Sequence, residues 1–228
     1  MLTIKNLTIS HAEKSLFSDL SLVVDSGEVV TLTGVSGSGK STLLNWMIGD
    51  LNPSFSASGE LWLNAVRCDT LPIEARHIGL LFQDDLLFPH LSVGQNLAFA
   101  LPASLQGAQA RRQRVAQTLS DMGLAGFHDR DPATLSGGQR ARVSLMRTLL
   151  AEPQALLLDE PFSKLDAVLR TQFRAFVFEQ IARQNIPTLL VTHDPADVPQ
   201  GGRVIDLSQF AHQQRSHEDA LNAHLPRS

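Results

Sequence analysis

The chain has 228 residues, of which 43% are hydrophobic and 18% charged, and its 19 Lys and Arg against 23 Asp and Glu give a net charge of −4. This apolar content suffices for a buried core and excludes a disordered chain, while the acidic balance disfavours nucleic acid and polybasic membrane anchoring. The single cysteine, Cys68, excludes an internal disulfide, and no basic-then-apolar leader opens the chain. We therefore expect a protein of the reducing cytoplasm.

The first third of the chain predicts short strands followed by a strand, loop and helix. Leu2 to Ile9 and Leu20 to Val24 are β-like, and the polar turn between them favours antiparallel pairing. The β-branched run Val29 to Thr33 then meets a glycine-rich loop, and a helix is expected from Lys40 to about Asp50. This order is typical of an α/β protein.

The remaining elements complete an α/β core with a small antiparallel β layer and an inserted helical block. Further strands are predicted at Glu60 to Leu63, Ile78 to Phe82, Ala155 to Leu158 and Thr188 to Thr192, the last two being continuous apolar runs typical of buried parallel strands. Helices are predicted near Ser92 to Leu101, Ala108 to Met122, Gly137 to Leu150 and Ala167 to Arg183. We expect one domain over 1–228, with a helical insertion at about 84–151 and a polar tail at about 212–228.

The loop after the third strand has the spacing of a phosphate-binding loop. Residues 34–41, GVSGSGKS, match G-x-x-x-x-G-K-S between a predicted strand and a predicted helix. Glycines let backbone N–H groups surround a phosphate, and the helix N-terminus adds positive charge. Lys40 then reaches the outer phosphates and the Ser41 hydroxyl suits Mg²⁺. The nucleotide contacts predicted here are Gly34, Val35, Ser36, Gly37, Ser38, Gly39, Lys40, Ser41 and Thr42.

Two acids follow the apolar strand that begins at Ala155. Asp159 is placed to hold Mg²⁺ through water, and Glu160 to accept a proton from an attacking water. Paired acids after a strand also occur as a solvated turn, but an upstream phosphate-binding loop favours the catalytic interpretation.

The segment LSGGQ supports two interpretations at once. Ser136 and Gln139 have the S-x-x-Q spacing of a helix capping box. A helix N-terminus with free N–H groups on Gly137 and Gly138 is also an anion site suited to a terminal phosphate. Both interpretations can hold together.

The ordered motifs of this chain resemble those of ABC transporter ATPases over nearly the whole length. The resemblance is carried by GVSGSGKST, LLFQDDLLFPHLSVGQNLAFAL, LSGGQ, LLLDEP, SKLD and VTHD. It implies a P-loop NTPase core of the RecA-like type with a mainly parallel sheet, an antiparallel β layer and an inserted helical subdomain. It also implies ATP and Mg²⁺ as ligands, and a homodimer in which Ser136, Gly137, Gly138 and Gln139 of one chain cover the γ-phosphate held by Lys40 of the other.

The resemblance further assigns roles to single residues. It implies that Gln83 contacts Mg²⁺ or the attacking water and communicates with a membrane partner, and that Glu160 is the general base. It implies cross-dimer coupling for Asp166 and a γ-phosphate contact for His193. The family usually places an aromatic ring ahead of the phosphate-binding loop to stack on adenine, and in this tyrosine-free chain His11 falls near that position.

The function implied by the resemblance is ATP hydrolysis that powers solute import through separate transmembrane permease subunits, with a separate solute-binding protein, at the cytoplasmic face of the inner membrane. Two alternatives are an ATPase for lipoprotein extraction or envelope remodelling, and a soluble ABC ATPase acting on DNA or ribosomes. A P-loop kinase or GTPase would leave LSGGQ and His193 without a role. The transported solute is not encoded in this chain.

Overall fold

The computed structural model describes residues 1–12 and 14–210. In this part of the chain the strands are β1 (Leu2–His11), β2 (Lys14–Val24), β3 (Val29–Thr33), β4 (Phe55–Leu63), β5 (Val66–Arg67), β6 (Ile78–Leu81), β7 (Ala155–Asp159), β8 (Thr188–Val191) and β9 (Arg203–Asp206). The α-helices are α1 (Lys40–Ile48), α2 (Val93–Phe99), α3 (Ala108–Asp121), α4 (Gly137–Leu150) and α5 (Ala167–Gln184), and 3₁₀ turns span Ile73–Ala75, Pro132–Thr134, Pro195–Asp197 and Leu207–Phe210.

The strands form two sheets, as the sequence predicted. One is antiparallel with the order β2-β1-β4-β5, and the other is parallel with the order β6-β7-β8-β3-β9. The predicted α/β architecture of a mainly parallel sheet, an antiparallel layer and helices is therefore confirmed. The predicted polar tail at about 212–228 lies outside the described residues.

The parallel sheet is the middle layer, because its strands bury side chains on both faces. Along β7, Leu157 packs into the cluster that includes the antiparallel sheet and α1, whereas Leu156 and Leu158 pack into the cluster formed with α2 to α5. Leu189 and Leu190 of β8 divide in the same way. Burial on both faces explains why these strands are continuous apolar runs.

Several element boundaries differ from the sequence predictions, for identifiable reasons. Strand β2 begins at Lys14 rather than Leu20, since register shifts against β1 and a left-handed Asp19 interrupt the alternation of its side chains. Strand β4 begins at Phe55, in a polar Ser- and Gly-containing stretch of low strand propensity that β1 pairs with. Short strands β5 and β9 were not predicted.

Helix ends follow the local caps. The helix α1 ends at Ile48 because Gly49 takes the left-handed conformation with φ 94°. The helix α2 begins at Val93, since Ser92 is its N-cap and forms a capping box with Gln95. Within the described residues, no helix is both long and apolar enough to cross a bilayer.

Candidate active site

A cavity of about 660 Å³ opens at the carboxyl edge of the parallel sheet. This edge receives the chain as it leaves β3, β7 and β8, which are neighbours in the sheet. Side chains and loops from these three exits therefore meet in one place. The lining residues are Leu16, Gly34, Ser36, Gly37, Gly39, Lys40, Ser41, Thr42, Phe55, Gln83, Asp159, Glu160 and His193.

The predicted phosphate-binding loop forms one wall of the cavity. Its turn requires glycine at Gly34, where φ is 148° and an added Cβ would lie 2.6 Å from Ser38 Oγ. Lys40 begins α1, and its ammonium donates to the carbonyl oxygens of Gly34 at 2.8 Å and Val35 at 3.1 Å. These bonds hold the positive charge across the loop, next to the free N–H groups of the helix start.

Two predicted loop residues do not line the cavity. The side chain of Val35 is 72% exposed, and that of Ser38 is buried beneath the loop. Neither side chain therefore reaches the cavity. Any contact of these two residues with a nucleotide is made through the backbone N–H group.

Ser41 and Asp159 form a pair of hard oxygen donors at the cavity floor. The Ser41 hydroxyl donates to Asp159 Oδ2 at 3.3 Å. Burial raises the pKa of Asp159, an effect that the negative charge of Glu160 reinforces and that the Ser41 hydrogen bond and the charge of Lys40 oppose. Mg²⁺ is bound in proteins through one or two carboxylates together with water and substrate phosphates. The pair therefore fits Mg²⁺, and a cation here would offset the cost of burying the carboxylate.

Glu160 and His193 are in contact with each other at the cavity wall. The His193 Nδ1 atom lies 3.3 Å from Glu160 Oε1. Glu160 has the left-handed backbone conformation with φ 46°, and its N–H donates to the Val191 carbonyl at 3.0 Å. A glutamate held in this disfavoured conformation is strained, as residues at functional sites often are.

Gln83 is tied to the segment that follows β7. Its amide Nε2 donates to Ser163 Oγ at 3.1 Å, and the Ser163 hydroxyl donates to the Glu160 carbonyl at 2.8 Å. This chain of hydrogen bonds fixes the amide at the cavity wall. Gln83 is therefore brought into the cavity together with the acids that the sequence singled out.

The LSGGQ residues and Asp166 are not brought into this cavity. Ser136 is the N-cap of α4: its Oγ accepts from Gln139 N at 3.3 Å, and its N–H donates to Gln139 Oε1 at 2.9 Å. Asp166 is the N-cap of α5 and accepts from the N–H groups of Val168 and Leu169. The capping interpretation is therefore confirmed, and an anion bound at Ser136, Gly137 and Gly138 would come from outside this cavity.

Phe55, a residue of the antiparallel sheet, bounds one end of the cavity. Phe55 lines the cavity beside Leu16, whereas the lining does not include His11. The His11 and Phe55 rings lie 5.0 Å apart at 48°. Sequence reasoning missed Phe55 and Leu16, because only the pairing of β1 with β4, which sets His11 opposite Phe55, brings this ring to the cavity.

Comparisons with known proteins point to one family. The family model described as ABC transporter matches residues 17–163. The uncharacterized ABC transporter ATP-binding protein YnjD of Escherichia coli (strain K12) is 54% identical over 92% of this chain and 97% of its own length. The thiamine import ATP-binding protein ThiQ of Haemophilus influenzae is 39% identical over 87% of this chain and 90% of its own. The dimeric ATP-binding cassette MJ0796 bound to ADP and Pi superposes with a TM-score of 0.74 at 28% identity, covering 90% of this chain and 94% of that one.

The half-buried carboxylate of Asp159 is predicted to cost stability, so its removal should stabilise the fold. Because burial raises its pKa, the folded state retains the proton to a higher pH than the unfolded chain, so the free energy of unfolding falls as pH rises through both pKa values. Asp159→Asn removes this cost and is expected to raise the unfolding temperature at pH 8 without Mg²⁺ or nucleotide. The difference in unfolding temperature between Asp159→Asn and the wild type should shrink as the pH falls toward about 3.9, the pKa of an aspartate in an unfolded chain.

Thermal unfolding followed by circular dichroism at pH 8 and pH 4.5 measures this difference. The matched control is Asp50→Asn at an exposed position. An unfolding temperature for Asp159→Asn below that of the wild type at pH 8 would contradict the account of this carboxylate.

Proposed function

The chain belongs to the ABC transporter family as an ATP-hydrolysing subunit, and on that premise we propose that it powers solute import through separate membrane permease subunits. The main support for ATP hydrolysis is that one cavity is lined by Lys40, Ser41, Asp159, Glu160 and His193. The importer assignment is supported by relatives named as import ATPases, such as ThiQ and the maltose/maltodextrin import protein MalK of Salmonella typhimurium, at 39% and 40% identity.

The cavity residues have distinct proposed roles in hydrolysis. Lys40 and the N–H groups of the loop bind the β- and γ-phosphates of ATP. Ser41, Asp159 and Gln83 would hold Mg²⁺, which neutralises phosphate charge when bound. Glu160 accepts a proton from the water that attacks the γ-phosphorus, and His193 donates to a γ-phosphate oxygen. The bond to the β-phosphate oxygen then breaks, and ADP and phosphate leave.

The aromatic pair is the proposed wall for the adenine ring. Phe55 lies at the end of the cavity nearest the antiparallel sheet and presents an apolar surface with Leu16. His11 packs behind Phe55 at 5.0 Å. In this arrangement Phe55 contacts the base and His11 supports the ring, whereas the sequence suggested His11 as the stacking residue.

A second copy of the chain completes the site in our proposal. Ser136, Gly137 and Gly138 form a helix N-terminus that does not line their own chain's cavity, and we assign it to the γ-phosphate bound by a partner. The related cassette MJ0796 forms a dimer. Asp166, at the N-terminus of α5, would lie at the same interface and couple the two sites.

The proposed general base predicts a separation of binding from hydrolysis. Glu160→Gln keeps the size and polarity of the side chain but cannot accept the proton, so hydrolysis should fall at least about a hundredfold. MgATP should still bind, and the ATP-bound dimer should accumulate because its ATP is not consumed. Steady-state phosphate release and multi-angle light scattering with MgATP measure both effects.

The matched control is Glu152→Gln, which makes the same change at an exposed glutamate that also has a positive φ of 55°. This control should hydrolyse ATP at the wild-type rate and remain monomeric after turnover. Hydrolysis by Glu160→Gln at the wild-type rate, or a monomer with MgATP, would contradict the proposal.

Two exposed apolar side chains in the segment after Gln83 are the proposed docking site for the permease. Leu86 and Phe99 are 54% and 69% exposed, and Phe99 packs edge-on against Phe88 at 4.9 Å. Both lie in the segment that follows Gln83, which lines the cavity, so a cytoplasmic loop of the permease bound here would contact the stretch of chain that leaves the cavity. This continuity is the reason that we assign the surface to the permease and place the protein on the cytoplasmic face of the inner membrane.

The partner experiment decides between import and the alternatives. The tagged chain is expressed in its native host, membranes are solubilised gently with MgATP, and co-purifying proteins are identified by mass spectrometry. A multi-span permease, with a solute-binding protein, is expected. Leu86→Asp and Phe99→Asp should each lose the permease, whereas Val66→Asp, at a 59% exposed position of the antiparallel sheet, should retain it.

Other partners would overturn the import assignment and leave the ATPase chemistry intact. A lipoprotein-handling partner would indicate extraction or envelope remodelling, and a ribosomal or DNA-repair partner would indicate a soluble ABC ATPase. In all three cases we propose one domain over 1–228, with α2, α3 and α4 forming an inserted subdomain at about 84–151 between β6 and β7.

A further inference from the structure

The segment that carries His193 is held by a buried carboxylate that the proposed chemistry does not use. Asp197 ends the 3₁₀ turn after His193 and is 1% exposed. Its Oδ2 accepts from Thr192 Oγ1 at 2.7 Å and from Arg170 Nη2, and its Oδ1 accepts from Arg170 Nε at 2.9 Å. The carboxylate thus binds the residue immediately before His193 and, through a two-bond fork, a guanidinium of α5.

The residue on the other side of His193 is held by the same guanidinium. Arg170 Nη1 lies 2.9 Å from Asp194 Oδ2, and the Asp194 N–H donates to Thr192 Oγ1 at 3.1 Å. Both neighbours of His193 are therefore fixed to Arg170 and Asp197. The imidazole itself is 64% exposed, so packing contributes little to its position.

The helix that provides this anchor also begins at the proposed dimer interface. Asp166, Arg170 and Arg174 are spaced by four residues and share one face of α5. Arg174 lies 3.6 Å from Asp197 and donates to the Ala196 carbonyl. A single helix thus connects the N-cap at Asp166 with the segment that carries His193.

We propose that Arg170 and Asp197 are positioning residues that set the His193 imidazole against Glu160 and the γ-phosphate, with Thr192 as the hydroxyl link between them. This inference rests on the proposed role of His193 in hydrolysis. Its basis is that a buried ion pair contributes little net stability after desolvation, whereas a two-bond guanidinium fork fixes both distance and orientation.

The positioning role and a purely structural role predict different results when both charges are removed together. Arg170→Met alone leaves the buried Asp197 carboxylate with Arg174, at 3.6 Å, as its nearby cation and should destabilise the fold. The double variant Arg170→Met/Asp197→Asn removes both charges, so its unfolding temperature should be close to that of the wild type. Positioning requires its kcat to fall by about tenfold or more, since displacement of a catalytic group by about 1 Å can cost a hundredfold.

Steady-state ATP hydrolysis by the full chain, with thermal unfolding in parallel, tests the proposal. The KM for ATP should change by less than about twofold, because the phosphate-binding loop is untouched. The control is Arg183→Met, which removes an exposed arginine paired with Glu179 on the same helix and should leave kcat unchanged. If the double variant does not fold, Thr192→Val replaces it as the test variant. It removes only the hydroxyl link and should lower kcat severalfold.

The result that overturns the inference is a double variant, or Thr192→Val, that is folded and has wild-type kcat. His193→Ala separates this failure from failure of the proposed function. If His193→Ala is inactive while the double variant is fully active, the positioning inference alone is wrong. If His193→Ala hydrolyses ATP at the wild-type rate, the role of His193 is wrong, and the inference falls with it.

Discussion

The parallel register of β3, β7 and β8 is the constraint on which the site depends. Leu32, Val191 and Asp159 lie in one row across these strands, since Leu32 pairs with Val191 and Val191 pairs with Asp159. The chain therefore leaves all three strands at the same level. A shift of one residue in β7 would turn Asp159 toward a buried layer and separate it from Ser41. Apolar burial on both faces of the sheet opposes such a shift.

The register also explains why positive and negative groups lie together in the cavity. Lys40 and the N-terminus of α1 supply positive charge from one strand exit, and Asp159 and Glu160 supply negative charge from another. The burial that raises the pKa of Asp159, and the strained backbone of Glu160, both reduce the stability of the fold. Such costs are common at functional sites, and a cation bound at Asp159 would offset the cost of burying its charge.

The sequence predicts the local parts of this site well. The phosphate-binding loop, the acids after β7 and the capping box at Ser136 depend on short spacings and on the flanking strand or helix, and each lies on the expected element. The roles of Gln83 and His193 came from resemblance, since neither residue is distinctive alone. Both nevertheless line the cavity.

The parts that could not be predicted depend on contacts between distant segments. Phe55 reaches the cavity only because β4 pairs with β1, and the bulges in β1 and β2 hide that pairing from any alternation of side chains. The ion pair of Arg170 with Asp197 joins residues that are 27 positions apart in the chain. In the sequence, each of them resembles an ordinary charged surface residue. Such pairs are specified by the packing of α5 against the turn that follows β8, which local patterns do not encode.

The most direct measurement is equilibrium dialysis of ATP, with Mg²⁺, against the wild type and Lys40→Ala. Of the four lysines in the chain, Lys5 lies over Trp62 in the antiparallel sheet, so Lys5→Ala is the matched control. Our account predicts that Lys40→Ala loses most of its ATP affinity while Lys5→Ala binds as the wild type does. Near-normal binding by folded Lys40→Ala would contradict the assignment of this cavity as the nucleotide site.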